Sequence, residues 1–253
     1  MGILVSMAII VVLFAVLMSA INTAVTGNGN TRAGTVRGVE DQMKLSSLAM
    51  GFMTSGRDLQ LAWLEPAKVK EGPGFSANTT AILFSALVMG QNAALENLIS
   101  SNERNPVVGE MANYNYGAYD MTVGRFYDPA FKADLERGSN VSFAHIPLYG
   151  ERKRYWTEGR MDTFFPLLGS RGPIDGDTTK PSQTYGRDGT WSGFRLFGDG
   201  HVESTTSMLV MGRGLDNGEP DNIFKMESGA DGNDCVLSFT KVMLMDGPEL
   251  QFD

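Results

Sequence analysis

The chain has 253 residues, 42% of them hydrophobic, and a formal net charge of −8. That length allows one large or two small domains around a real core, and an acidic surface repels phosphate backbones, which argues against general nucleic-acid binding. The single cysteine, Cys235, rules out an internal disulfide and a cysteine metal cluster.

No Lys, Arg, Asp or Glu occurs from Met1 through Thr31. Within that stretch Ile3 to Val25 carries only Ser6, Ser19, Asn22 and Thr23 as polar residues. As a helix it would be about 34 Å long, enough to cross a hydrocarbon core of about 30 Å. A retained membrane helix is the reading adopted. A cleaved signal normally has a basic n-region and a shorter apolar run, and a buried core helix rarely lacks a polar face over this length. The opening Met1-Gly2 with Ser6 formally fits an N-myristoylation signal, taken as chance beside a complete span. Arg32, Arg37 and Lys44 follow the span, so counting cations alone would put that flank in the cytoplasm. Orientation stays open on charge.

Thr26 to Thr31 is a Gly- and Asn-rich break. Thr35 to Ser55 then reads as an amphipathic helix, with an apolar stripe of Val36, Val39, Met43, Leu45, Leu48, Ala49, Phe52 and Met53. Arg37, Glu40, Asp41 and Lys44 fall on its other side. Asn78 to Ser101 reads as helical with a break at Gly90, and Pro129 to Arg137 as a short helical piece. Strands are expected at Val141–Ile146, Phe194–Phe197, His201–Thr205, Met208–Val210 and Cys235–Leu244. The division is 1–27 as membrane or assembly helix, 28–56 as linker and amphipathic helix, and 57–253 as an α+β globular domain.

The chemistry-bearing residues form no recognised catalytic pattern. His145 and His201 have no zinc spacing, no Gly-x-Ser-x-Gly elbow or P-loop occurs, and Cys235 sits in an apolar run as a small buried hydrophobe. No catalytic or cofactor-binding residue is assigned, and the chain is read as a non-enzyme. The oxygen-rich turns at Asp175–Asp177, Asp216–Asn222 and Asp231–Asp234 are the ligand type that calcium prefers, although Asp, Asn and Gly also dominate plain turns. The best calcium candidates are Asp231, Asn233 and Asp234. Asn78 and Asn140 stand in glycosylation-type triplets, a pattern common by chance.

Leu4-Val5-Ser6-Met7-Ala8-Ile9-Ile10 resembles the N-terminal segment of type IV pilins and type II secretion pseudopilins, with Gly2 at the position aligned to the family's glutamate. A second stretch, Thr190 to Glu203, resembles the closing segment of large pilin-like proteins that carry an H-x9-DG motif. Its motif residues are Gly189, Trp191, Gly193, Asp199, Gly200 and His201, with Asp199-Gly200 as the DG and Gly189 where the family has histidine. The turn Gly150-Glu151-Arg152 and the run Arg171-Gly172-Pro173 are also similar to that group.

The resemblance implies an α+β, pilin-like fold: a long N-terminal hydrophobic helix, then an amphipathic helix packed on an antiparallel β-sheet. It implies a structural subunit of a pilus or type II secretion pseudopilus, anchored in the lipid bilayer. Its globular domain would lie outside the inner membrane, in the periplasm or at the cell surface. Partners would be other pilin-like subunits or secretion machinery, with no cofactor except a possible calcium ion. A solitary signal-anchored envelope protein with a binding or enzymatic domain is the alternative.

Overall fold

The computed structural model describes residues 36–69, 74–158, 163–179, 189–210 and 220–253. The apolar segment Ile3–Val25, the Gly/Asn break after it and the Asp216-Asn217 turn lie outside the described residues.

Helix α1 spans Val36–Arg57, α2 Thr80–Met89 and α3 Lys153–Thr157. The strands are β1 Ala133–Asp134, β2 Gly138–Ser139, β3 Phe143–His145, β4 Pro166–Ser170, β5 Gly193–Phe197, β6 Val202–Thr205, β7 Leu209–Val210, β8 Asp221–Asn222, β9 Phe239–Leu244 and β10 Gly247–Gln251. Among the described residues they form four antiparallel sheets, the largest ordered β3-β4-β5-β6 and the others simple pairs. A bridge between His145 and Ser238 joins the β3 edge to the chain entering β9.

The pilin-like fold class is therefore corrected. Among the described residues the fold is mostly short strands in several antiparallel sheets, and no helix is long and apolar enough to cross a membrane. The physical reason lies in the turns. Gly, Asn, Asp and Pro recur so often after Pro106 that, among the described residues, strands stop after two to six residues and divide among several small sheets.

Helix α1 also departs from the stripe read from its sequence. Leu45, Leu48, Ala49 and Phe52 are buried, but Asp41 is buried with them while Val39 and Met43 face outward. Asp41 decides the rotation. Its Oδ2 accepts from Ser100 Oγ at 2.7 Å and Asn102 Nδ2 at 3.0 Å, and its Oδ1 from the Ser101 N–H at 2.7 Å. Lys44 adds a bond from Nζ to the Ile99 carbonyl at 2.9 Å. A buried carboxylate must be fully hydrogen-bonded, and the 99–102 turn is what satisfies it. The helix is thus a wall of the common core.

That core centres on Phe52, Trp63, Phe84 and Trp156, whose rings meet at centroid distances of 4.9–5.9 Å. Trp156 Nε1 donates to the Leu64 carbonyl at 2.8 Å, so its polar end is satisfied. Helix α2 begins at an N-cap, the Thr79 hydroxyl accepting from the Ile82 N–H, and ends before Gly90. The rest of the stretch expected to be helical to Ser101 holds only a short 3₁₀ turn at Leu95–Leu98.

The 129–137 helical expectation is corrected as well. A two-stranded hairpin, β1–β2, stands there, held by reciprocal Asn140–Lys132 bonds.

The β5–β6 hairpin forms where Phe194–Phe197 and the return from His201 placed it. Gly200 holds φ +88 in its turn, with nothing within 4 Å of an added Cβ. Gly200→Val should then cost backbone strain alone, about 1–2 kcal/mol, read as a melting temperature lower by about 2–6 °C. An unchanged melting temperature would place the turn elsewhere.

Candidate functional site

Among the described residues, three places bring together the side chains that chemistry could use. The first is the loop from Met226 to Asp234, which contains the calcium candidates. The turn at Gly150–Arg152 grips it: the Glu151 N–H donates to the Asp231 carbonyl at 3.0 Å and the Arg152 N–H to that of Gly232 at 3.1 Å. Gly150 holds φ +63, and a Cβ on it would stand 2.6 Å from Asp231 Cα, so only glycine permits this approach.

The Arg152 side chain enters the loop and is fully buried. Its Nη2 donates to the Gly229 carbonyl at 2.8 Å, its Nη1 to that of Ala230 at 3.1 Å, and its Nε to that of Asp234 at 3.2 Å. Nη2 also pairs with Asp234 Oδ1, while Asp234 Oδ2 accepts the Glu227 N–H at 2.7 Å. The carbonyls and carboxylate of the loop thus surround a guanidinium, whose planar fork suits several oxygens at once. Asp231 is exposed, and Asn233 lines a shallow cleft with Glu151, Arg154 and Tyr155. Among the described residues no group of three or more His, Cys, Asp or Glu side chains is arranged to hold a metal ion.

Beside this loop, buried Asp221 accepts the Cys235 N–H on Oδ2 at 2.5 Å, and its Oδ1 has no partner. Burial, helped by the charges of Asp234 and Glu227, pushes its carboxyl up to about 6. Cys235 is completely buried, its Sγ 3.4 Å from the Pro166 carbonyl, and burial raises the thiol well above its ordinary value. A thiolate nucleophile is disfavoured in that position.

The second place surrounds His145 on β3. Its Nδ1 lies 2.6 Å from the Ile146 carbonyl, an acceptor only, so Nδ1 carries the proton. Nε2 is then a lone pair that accepts from the Thr80 hydroxyl at 2.8 Å, and the Thr80 oxygen in turn accepts the Thr240 N–H at 2.7 Å. A hydroxyl bonded to an oriented imidazole is the geometry of a nucleophile and its base. All three residues are sealed in the core, however, and burial lowers the His145 pKa to about 4.

The third place is the β5–β6 turn. The His201 ring stacks on Phe197 at 4.3 Å, and its Nδ1 lies 2.5 Å from Asp199 Oδ1. Within the same motif, Trp191 is buried with Nε1 donating to the Arg171 carbonyl at 2.8 Å, Gly193 opens β5, and Gly189 bonds the Thr178 carbonyl. The two histidines stand on opposite edges of the main sheet, three strands apart, and are not brought together.

Sequence reading missed two buried arginine clamps. The second, Arg171, pairs with Glu103 at 2.7 Å and Asp253 at 3.3 Å. The available signal was an arginine beside a tight glycine turn, in Gly150-Glu151-Arg152 and Arg171-Gly172-Pro173. No protein-family model, curated protein or solved structure matches this chain.

Proposed function

We propose that this chain is a non-catalytic structural subunit of a cell-envelope assembly of the pilus or secretion type, tethered by Ile3–Val25 with its folded domain outside the inner membrane. One observation carries the reading: the polar groups best suited to chemistry are spent on cohesion of the fold. Arg152 and Asp234 close a loop, His145 and Thr80 are sealed between β3, α2 and the start of β9, and Cys235 is buried. The uncharged segment supplies the tether, and other envelope subunits are the partners that such a domain would meet.

The test is complementation of a deletion at matched protein levels, with fractionation alongside. His145→Gln, which keeps a neutral polar side chain, and Cys235→Ala should retain the cellular role. Val12→Asp should abolish both membrane recovery and function, because an aspartate at a helix centre in the bilayer costs about 3 kcal/mol on insertion scales. Intact chain in the soluble fraction without detergent would sink the proposal.

An anchored enzyme or binding protein is the second reading, favoured by the exposed Asp199–His201 pair, since a carboxylate-oriented imidazole can serve as a base. His201→Ala decides between them. Loss of function in a folded, membrane-bound variant would favour the second.

A further inference from the structure

We propose that the outer face of α1 lies on the zwitterionic phospholipid surface of the membrane that holds the apolar segment, an inference that rests on the tether proposed above. Val39, Met43 and Met50 are 49%, 68% and 64% exposed although Leu45, Leu48, Ala49 and Phe52 of the same helix turn inward. Spaced i, i+4 and i+11, they share one face over about 17 Å of helix. No acidic residue interrupts that face between Val39 and Arg57. Glu40, at its margin, is paired with Lys44 at 3.0 Å.

Two of the polar residues along the stripe are muted. Ser46 Oγ donates to the Gln42 carbonyl at 3.0 Å and Thr54 Oγ1 to that of Met50 at 2.8 Å. Each hydroxyl proton is turned back on the helix's own backbone, so that neither needs water as its acceptor.

Reach and area select the occupant. Eleven residue steps separate Val25 from Val36, which keeps the start of α1 within about 40 Å of the anchored segment's end. A tethered face meets the bilayer at high effective concentration and needs little area to settle there. Three side chains fall far short of the roughly 800 Å² per partner of a stable protein interface, which disfavours a second copy. The net charge of −8 disfavours an anionic lipid surface.

The test uses the full chain in phosphatidylcholine vesicles with a bimane fluorophore on Met43→Cys. Buried Cys235 is protected from the label. Glu136→Cys, in an exposed turn, is the control. Brominated acyl chains should quench the Met43 probe by about half or more while leaving the control bright. If the chain floats with the vesicles but the two probes respond alike, the face does not touch lipid and the tether stands. A chain that fails to float overturns both proposals. Pyrene excimer at position 43 that survives dilution into excess lipid would put a second copy on the stripe and overturn the lipid assignment.

Discussion

Arg152→Met should lower stability by about 3–5 kcal/mol, because it leaves the Asp234 carboxylate buried without its cation. In a domain of this size that is a melting temperature lower by about 10 °C or more. The double variant Arg152→Met with Asp234→Leu is the more telling measurement. Buried ion pairs can often be replaced by apolar residues of similar size at little cost. Here the guanidinium also accounts for the carbonyls of Gly229, Ala230 and Asp234, and the carboxylate for the N–H groups of Glu227 and Ser228. Removing both side chains takes the partners from these backbone groups, and the carbonyl of buried Asp234 costs about 1–3 kcal/mol if left unsatisfied. The carbonyls lose the guanidinium in both variants. The double variant should therefore recover the part of the loss that comes from the unpaired Asp234 carboxylate and still be less stable than the parent. Urea unfolding followed by tryptophan fluorescence reads the difference, and a double variant as stable as the parent would show that the loop carries no such demand.

The same loop shows where sequence reasoning stops. Asp231, Asn233 and Asp234 were legible as an oxygen-rich turn, but the group that fills it comes from Arg152, some eighty residues earlier, and no local spacing announces that pairing. Helix α1 was legible to within two residues, yet its rotation was not, because apolar periodicity gave no weight to a carboxylate with three donors waiting at 100–102. Strands β4 and β10 were missed for local reasons: Pro166 and Gly169 break the first pattern, and Gly247-Pro248 opens the second. Pro129–Arg137 failed in the opposite direction. Its composition suits a helix, but Asn140 reaches back to the Lys132 N–H at 2.9 Å and Gly138 takes φ +137, which together close a hairpin instead. The Asp199-Gly200 turn was readable because a two-stranded hairpin is a local object.

Two buried titrations should nearly cancel in the parent protein and appear only when one is removed. His145 is lowered from 6.5 to about 4, so between those values the unfolded chain binds more protons and stability falls as the pH falls. Asp221 is raised from 3.8 to about 6, so in that window the folded chain binds more protons and stability falls as the pH rises. Each shift corresponds to about 3 kcal/mol across its window. Their slopes oppose one another from about pH 4 to 6, and the stability of the parent should be nearly flat there. Asp221→Asn keeps an oxygen for the Cys235 N–H and removes the titration. It should be more stable than the parent above pH 6 and should lose about 3 kcal/mol between pH 6.5 and 4. His145→Gln leaves Asp221 unopposed, so its stability should instead decline from pH 4 to 6, whatever the fixed cost of altering the Thr80 bond. Glu40, Asp120 and Asp134 have lowered pKa values, which places their losses at the acid end of this range or below it. Urea titrations of the three proteins at half-unit pH steps give the slopes. A parallel pH dependence in parent and Asp221→Asn would mean that the carboxyl titrates in the ordinary range, and the opposition between the two groups would be lost.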